Sequence, residues 1–175
     1  MLRLMLLRHA KAEVGHGKAD HARALNALGL KQAEAMGRYL ATEGLWLDMI
    51  LASNSLRTSH TAGIIQPLAG KDATFKLDPA LYVAHPRTVL EAIHATPAVS
   101  RVLLVIGHNP GIAELAEALA GFGDRYAAAR LALKYPPCGL TILDFETDSW
   151  QGIVVGAGRL ERFIVPTDIG IDTDD

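Results

Sequence analysis

Cysteine is almost absent from this chain. Among 175 residues there is one, Cys138, so no disulfide can form within the molecule, and a disulfide framework is excluded as a source of stability. That usage fits a reducing compartment. An excess of either charge is lacking too: 17 Lys and Arg stand against 19 Asp and Glu, a net charge of -2. A protein built mainly for nucleic acid needs a basic face for the phosphate backbone, and this balance argues against that class. It leaves room for a small, locally cationic pocket. No apolar run is long enough to span a bilayer. The amino terminus lacks the extended apolar core and small-residue cleavage site of a secretory signal, because Arg3 interrupts its first apolar run. The expectation is a cytoplasmic protein with neither a membrane nor a nucleic acid as partner. Repeats and linkers are also missing. What remains is 50% hydrophobic and 21% charged, the balance of a globular domain. One domain over 1–175 is expected, long enough to hide roughly 70% of its unfolded surface.

The stretch Leu2-Arg3-Leu4-Met5-Leu6-Leu7-Arg8-His9-Ala10 organises the rest. A short, nearly continuous apolar run predicts a buried strand over about 3–8. Arg8 and His9 then lie at its carboxyl end, where open α/β sheets place their ligand crevices. A fixed cation beside a nitrogen nucleophile or proton carrier suggests chemistry on an anion. Residues 10–24 have no helical period and read as a loop over that edge, with Arg23 near its end. Asn26 caps a helix predicted over 27–42. A second strand is expected at 47–52. Ser53-Asn54-Ser55 offers caps for a helix over about 56–68, which Pro67 and Gly70 help to end. Arg57 falls in its first turn, where unpaired N–H groups and the dipole favour an anion.

A short strand at 74–77 and a helix from Pro86 to about 95 follow. Val102-Leu103-Leu104-Val105-Ile106 is the clearest buried strand. It ends in Gly107-His108-Asn109-Pro110, with Asn109 read as N-cap and Pro110 as the first residue of a helix running to about 120 and stopping at Gly121. A short helix within 123–134 and a strand at 139–145 come next. Segments 152–155 and 160–165 are expected to form a hairpin through Gly156-Ala157-Gly158, and the acidic tail 168–175 to be mobile. If the first and fourth strands are parallel neighbours, His9, His108, Arg8 and Arg57 meet at one sheet edge. Such a cationic pocket suits a phosphoryl group, whose outer oxygens need neutralising during transfer.

Other signals carry less. His16 and His21 with His9 fit no familiar zinc spacing. Gly156-Ala157-Gly158 lacks the third glycine of a dinucleotide fingerprint. Asp172, Asp174 and Asp175 read as solvated tail. Trp46, Trp150 and Cys138 read as packing or hairpin residues.

Leu6-Leu7-Arg8-His9-Ala10, Arg23-Ala24-Leu25 leading to Gly29, Ser53-Asn54-Ser55-Leu56-Arg57-Thr58 and Val105-Ile106-Gly107-His108-Asn109-Pro110 form an ordered set. In it the sequence resembles the histidine phosphatase superfamily, and within it the short SixA-type phosphohistidine phosphatases. The resemblance runs from near residue 1 to about 120. It implies a three-layer α/β/α sandwich with a largely parallel central sheet, of the phosphoglycerate mutase-like kind. It further implies that His9 attacks phosphorus, that Arg8, Arg57 and His108 clamp the oxygens with Arg23 and Asn109 as further phosphate contacts, and that no metal or cofactor is needed. Surrounding cations are expected to lower the His9 pKa. Many relatives that act on esters carry a glutamate after the third strand, as acid for an alcohol leaving group. Here Leu77-Asp78-Pro79-Ala80-Leu81-Tyr82-Val83-Ala84-His85 has none. The imidazole of a phosphohistidine leaves more readily than an alkoxide, so a phosphorylated protein, such as a phosphohistidine domain, is the expected partner. Alternatives are a small phosphate ester, with Asp78 or His85 as acid, or a phosphate-binding module without catalysis.

Overall fold

A computed structural model describes residues 1–173. Strand β1 (Leu2–Arg8) lies near the middle of a seven-stranded sheet. Leu2, Leu4, Met5, Leu6 and Leu7 are fully buried, each worth about 1.5–3 kcal/mol of hydrophobic stabilisation. The chain continues through α1 (Ala27–Thr42), β2 (Met49–Ala52), α2 (Leu56–Ala69), β3 (Thr74–Leu77), α3 (Pro86–His94), β4 (Val102–Gly107), α4 (Gly111–Leu119), β5 (Ala120–Gly123), α5 (Arg125–Leu133), β6 (Leu140–Phe145) and β7 (Gly158–Ile164). The strand order is β3-β2-β4-β1-β6-β7-β5. The first four are mutually parallel. β6 runs antiparallel to both β1 and β7, and β5 pairs parallel with β7.

Side chains alternate across a strand, so β1 feeds two cores. Leu2, Leu4 and Leu6 join Val89 and Ile93 of α3, Leu115 and Leu119 of α4, and Leu131 of α5. Met5 and Leu7 join Ala33, Met36 and Leu40 of α1 and Ala62 and Ile65 of α2. This makes the expected three layers, with helices on both faces of a mostly parallel sheet.

Several local expectations change. Pro67 lies inside α2, which continues to Ala69 and stops at Gly70. Helix α4 begins at Gly111, with Pro110 at its cap, so Asn109 does not cap it. No strand forms at 152–155. The antiparallel partner of β7 is β6, and a single 3-10 turn, Trp150–Gly152, stands in the connection. Ala120–Gly123 is a strand where only a helix end was expected. Trp150 is buried and donates from Nε1 to Ser100 O at 2.7 Å, whereas Trp46 is exposed. The carboxyl-terminal segment is held as far as it is described: Pro166–Ile169 makes a 3-10 turn, and Gln32 Nε2 donates to Asp172 O at 2.8 Å. Asp174 and Asp175 lie outside the described residues. Among those described, no helix is long and apolar enough to cross a membrane.

Candidate active site

The register of β1 and β4 decides what meets at the sheet edge. Arg8 pairs with Gly107, and His9 N donates to Gly107 O at 3.1 Å. The residues that follow, His9 and His108, therefore leave neighbouring strand ends side by side, with ring centroids 5.3 Å apart. β2 lies on the other side of β4 and delivers α2. Ser55 caps that helix by accepting from Thr58 N, which sets Arg57 in its first turn. Arg57 is 3% exposed, and both histidines are buried.

Arginine only donates, so its contacts reveal the histidine tautomers. Arg57 Nε donates to His9 Nε2 at 3.3 Å, while His9 Nδ1 lies 2.7 Å from Ala10 O. His9 therefore carries its proton on Nδ1, donates it to that carbonyl, and leaves a lone pair on Nε2. Likewise Arg57 Nη2 donates to His108 Nδ1 at 3.3 Å, and His108 Nε2 lies 2.6 Å from Ser53 Oγ. His108 carries its proton on Nε2 and donates it to Ser53. Ser53 Oγ is joined in turn to Thr58 Oγ1 at 2.7 Å, so the α2 cap region also orients His108.

Both imidazoles are held neutral. Burial pushes the His9 pKa down to about 3, with lesser help from the charges of His108, Arg57 and Arg8 and against the pull of the Ala10 carbonyl. Burial and Arg57 push His108 down to about 4, opposed by the charge of Asp20. The expected cause, surrounding cations, is present for His9 but second to desolvation.

The other candidates fall as follows. Arg8 Nη1 donates to Tyr135 O at 3.0 Å, and its charge acts on both histidines. Asn109 Nδ2 donates to the same carbonyl at 2.9 Å. Arg23 reaches the site through a carboxylate: its Nη2 lies 3.0 Å from Asp20 Oδ1, and its Nη1 donates to Glu13 O at 3.0 Å. Asp78 accepts from Ala80 N at 2.9 Å and His85 Nδ1 from Arg87 N at 3.1 Å, so both act as helix caps. His21 Nε2 lies 2.9 Å from Asn54 Oδ1 at the rim. Among the described residues no group of three or more His, Cys, Asp or Glu side chains could hold a metal ion. Cys138 is buried with its thiol pushed up to about 12, as for a packing residue. At φ +60° its N–H reaches the carbonyls of Arg8 and His9.

Three participants were not singled out in the sequence. Ser53 stood among the caps and at the head of the Ser53–Thr58 motif, with no role at the site assigned to it. Asp20 and Tyr82 come from separate loops: Asp20 Oδ2 accepts from Arg57 Nη2 at 3.0 Å and from the Tyr82 hydroxyl. A cleft of about 700 Å³ bounded by Lys11, Glu13, His16, Lys18, Asp20 and Arg23 opens alongside.

This geometry places a neutral imidazole against a fixed guanidinium, and comparison with known proteins gives the family. The model of the histidine phosphatase superfamily (branch 1) matches residues 4–82. The protein assigned as phosphohistidine phosphatase SixA in Agrobacterium tumefaciens shares 30% identity and superposes with a TM-score of 0.79, covering 94% of this chain and 98% of its own. The chain belongs to the histidine phosphatase superfamily, and to its SixA type. A relative in Mycobacterium tuberculosis, Rv1276c, is 33% identical over an alignment of 162 residues that covers 91% of this chain and 99% of that protein. The protein histidine phosphatase SixA complexed with tungstate shares the fold at 18% identity, with a TM-score of 0.78 over 96% of this chain and 99% of its own. Membership of this superfamily supports phosphatase activity.

Proposed function

We propose that the protein is a metal-independent phosphatase that takes a phosphoryl group onto His9 Nε2, and that its substrates are phosphohistidine side chains of proteins. The observation that carries this reading is the unprotonated Nε2 of His9, 3.3 Å from Arg57 Nε. In the first step Nε2 attacks phosphorus in line. The P–N bond to the substrate imidazole breaks as the bond to His9 forms, and the departing imidazole takes a proton from solvent. Water then attacks the phosphohistidine, freeing His9 and inorganic phosphate. Arg57 and Arg8 supply the positive charge that the phosphoryl oxygens need in both steps.

The leaving group supports the choice of substrate. An alkoxide needs a proton donor. Asp78 and His85 are engaged as caps, and Asp20, nearer the histidines, is held well below the usual carboxylate range, first by the Tyr82 hydroxyl and then by Arg57 and Arg23. A site whose nearest carboxylate is held ionised suits a substrate whose leaving nitrogen needs little help. The Agrobacterium tumefaciens relative, assigned as a phosphohistidine phosphatase, points the same way.

The test is a competition between a phosphohistidine protein and a panel of sugar phosphates and nucleotides. The expected result is a kcat/KM for the phosphohistidine protein higher by at least about 100-fold, the ratio that roughly 2.7 kcal/mol of differential transition-state binding provides. Faster turnover of the esters would select a small-molecule phosphomonoesterase. Tight phosphate binding without hydrolysis of any phosphorylated compound would select a binding module.

A further inference from the structure

Asp20 sits in a single 3-10 turn, Asp20–Ala22, within the loop between β1 and α1. Its side chain is half exposed, yet its carboxylate is fully engaged. Oδ2 accepts from Arg57 Nη2 at 3.0 Å and from the Tyr82 hydroxyl. Oδ1 accepts from Arg23 Nε at 3.1 Å. Its backbone carbonyl accepts from Arg57 Nη1 at 2.7 Å. Asp20 thus takes the whole outer edge of the Arg57 guanidinium. The inner edge, Nε and the second Nη2 hydrogen, is left toward His9 Nε2 and His108 Nδ1. A planar fork held at one edge has its other edge fixed in direction.

Tyr82 is itself fixed. Its ring stands edge-on to His108, with centroids 5.4 Å apart, and Arg57 Cζ lies 5.9 Å from its centroid. The next residue, Val83, has φ +45°, a conformation that a β-branched residue adopts only when its surroundings impose it. Helix α4 presses on this segment: a Cβ added to Gly111 would overlap the carbonyl oxygen of Ala84.

We propose that Asp20 is a positioning residue for phosphoryl transfer, backed by Tyr82, fixing the outer edge of Arg57 so that Nε and Nη2 face the oxygens of the group being transferred to His9. This rests on the reading of His9 as nucleophile. Arg57 bonds strengthen as charge spreads over those oxygens, so loss of its orientation acts on kcat more than on KM. The opposite role would be a plug, with the carboxylate merely competing with phosphate for Arg57. The two roles differ in sign: removing a plug tightens oxyanion binding, and removing an orienting group weakens it.

The test uses the full chain, phosphoramidate as substrate and orthovanadate as inhibitor, with Asp20→Ala, Asp20→Asn, Tyr82→Phe and His9→Ala and a thermal melt of each. Asp20→Ala is expected to lose on the order of 10- to 100-fold in kcat, the scale of a small misplacement of a reacting group, with KM changed less and vanadate inhibition weakened. Asp20→Asn keeps an oxygen for Arg57 and recovers much of the loss. Tyr82→Phe keeps the ring, folds as the parent does, and shows a smaller fall in kcat. Should Asp20→Ala not fold, Asp20→Asn and Tyr82→Phe decide alone: parent kcat and vanadate inhibition in both would overturn the inference. Unchanged kcat or tighter vanadate binding in folded Asp20→Ala would overturn it as well. His9→Ala separates the two layers: activity there removes the phosphoenzyme reading itself, whereas a dead His9→Ala beside a fully active Asp20→Ala removes only the role of Asp20.

Discussion

At the scale of single residues, tautomers matter more than charge. Two imidazoles beside arginines could be cationic or neutral, and a nucleophile must be neutral. Burial settles this for His9 and His108, and the hydrogen bonds to Ala10 O and Ser53 Oγ choose which nitrogen of each keeps its proton. Ser53 Oγ accepts from His108 Nε2 and so leaves Nδ1 available beside Arg57. Replacing Ser53 with alanine leaves the buried N–H of His108 without its acceptor, a cost of about 1–3 kcal/mol. Ser53→Ala is expected to lower kcat by about 10-fold while vanadate still binds. Rapid-mixing kinetics on the purified variant checks this, and an unchanged kcat would show that the tautomer of His108 is immaterial.

At the scale of elements, the site is the product of two strand ends and one helix start. These were legible because a buried parallel strand is a continuous apolar run, and its end is marked where the run stops at Arg8-His9 or Gly107-His108. The start of α2 was legible because Ser55 caps it by a local bond to Thr58 N. Asp20 and Tyr82 were not. They are 62 residues apart, their loops carry no period, and a hydrogen bond between them depends on the finished fold. Strand β5 was hidden for another reason: Ala-Gly-Phe-Gly offers no apolar run, and its strand form comes from pairing with β7. Asn109 misled because a good cap residue precedes a proline, yet α4 begins two residues later and the Asn109 amide turns to Tyr135 O. The packing of α4 carries its own prediction. Gly111 touches Ala84 O so closely that alanine must displace the segment bearing Tyr82. Gly111→Ala is expected to lower both Tm, by several degrees for a change of about 1–2 kcal/mol, and kcat. A parent-like melt and parent-like turnover would contradict this packing.

At the scale of the whole molecule, a nearly neutral chain gathers buried Arg57, half-buried Arg8 and two buried imidazoles at one edge of the sheet, while both faces are sealed by apolar helices. Stability inherits a pH dependence from that edge. In the unfolded chain histidine titrates near 6.5, whereas in the folded state His9 and His108 take up a proton only near 3 and 4. Between about pH 6.5 and 4 the unfolded chain binds protons that the folded chain refuses, so stability falls as the pH falls through that window. The Asp20 carboxyl, shifted downward, adds its own loss only below the ordinary carboxylate pKa near 4. Urea midpoints measured from pH 7 to 4.5 are expected to decline steadily, and the decline to flatten in His108→Asn. A midpoint independent of pH over this range would mean that the histidines are not buried as neutral groups.

The most direct measurement is rapid base-quench of the enzyme with a ³²P-labelled phosphoramidate, followed by peptide mapping under alkaline conditions. Base-stable, acid-labile label is expected on the peptide containing His9, appearing faster than steady-state turnover and absent in His9→Ala. Label on any other residue, or full turnover with no label at all, would contradict it.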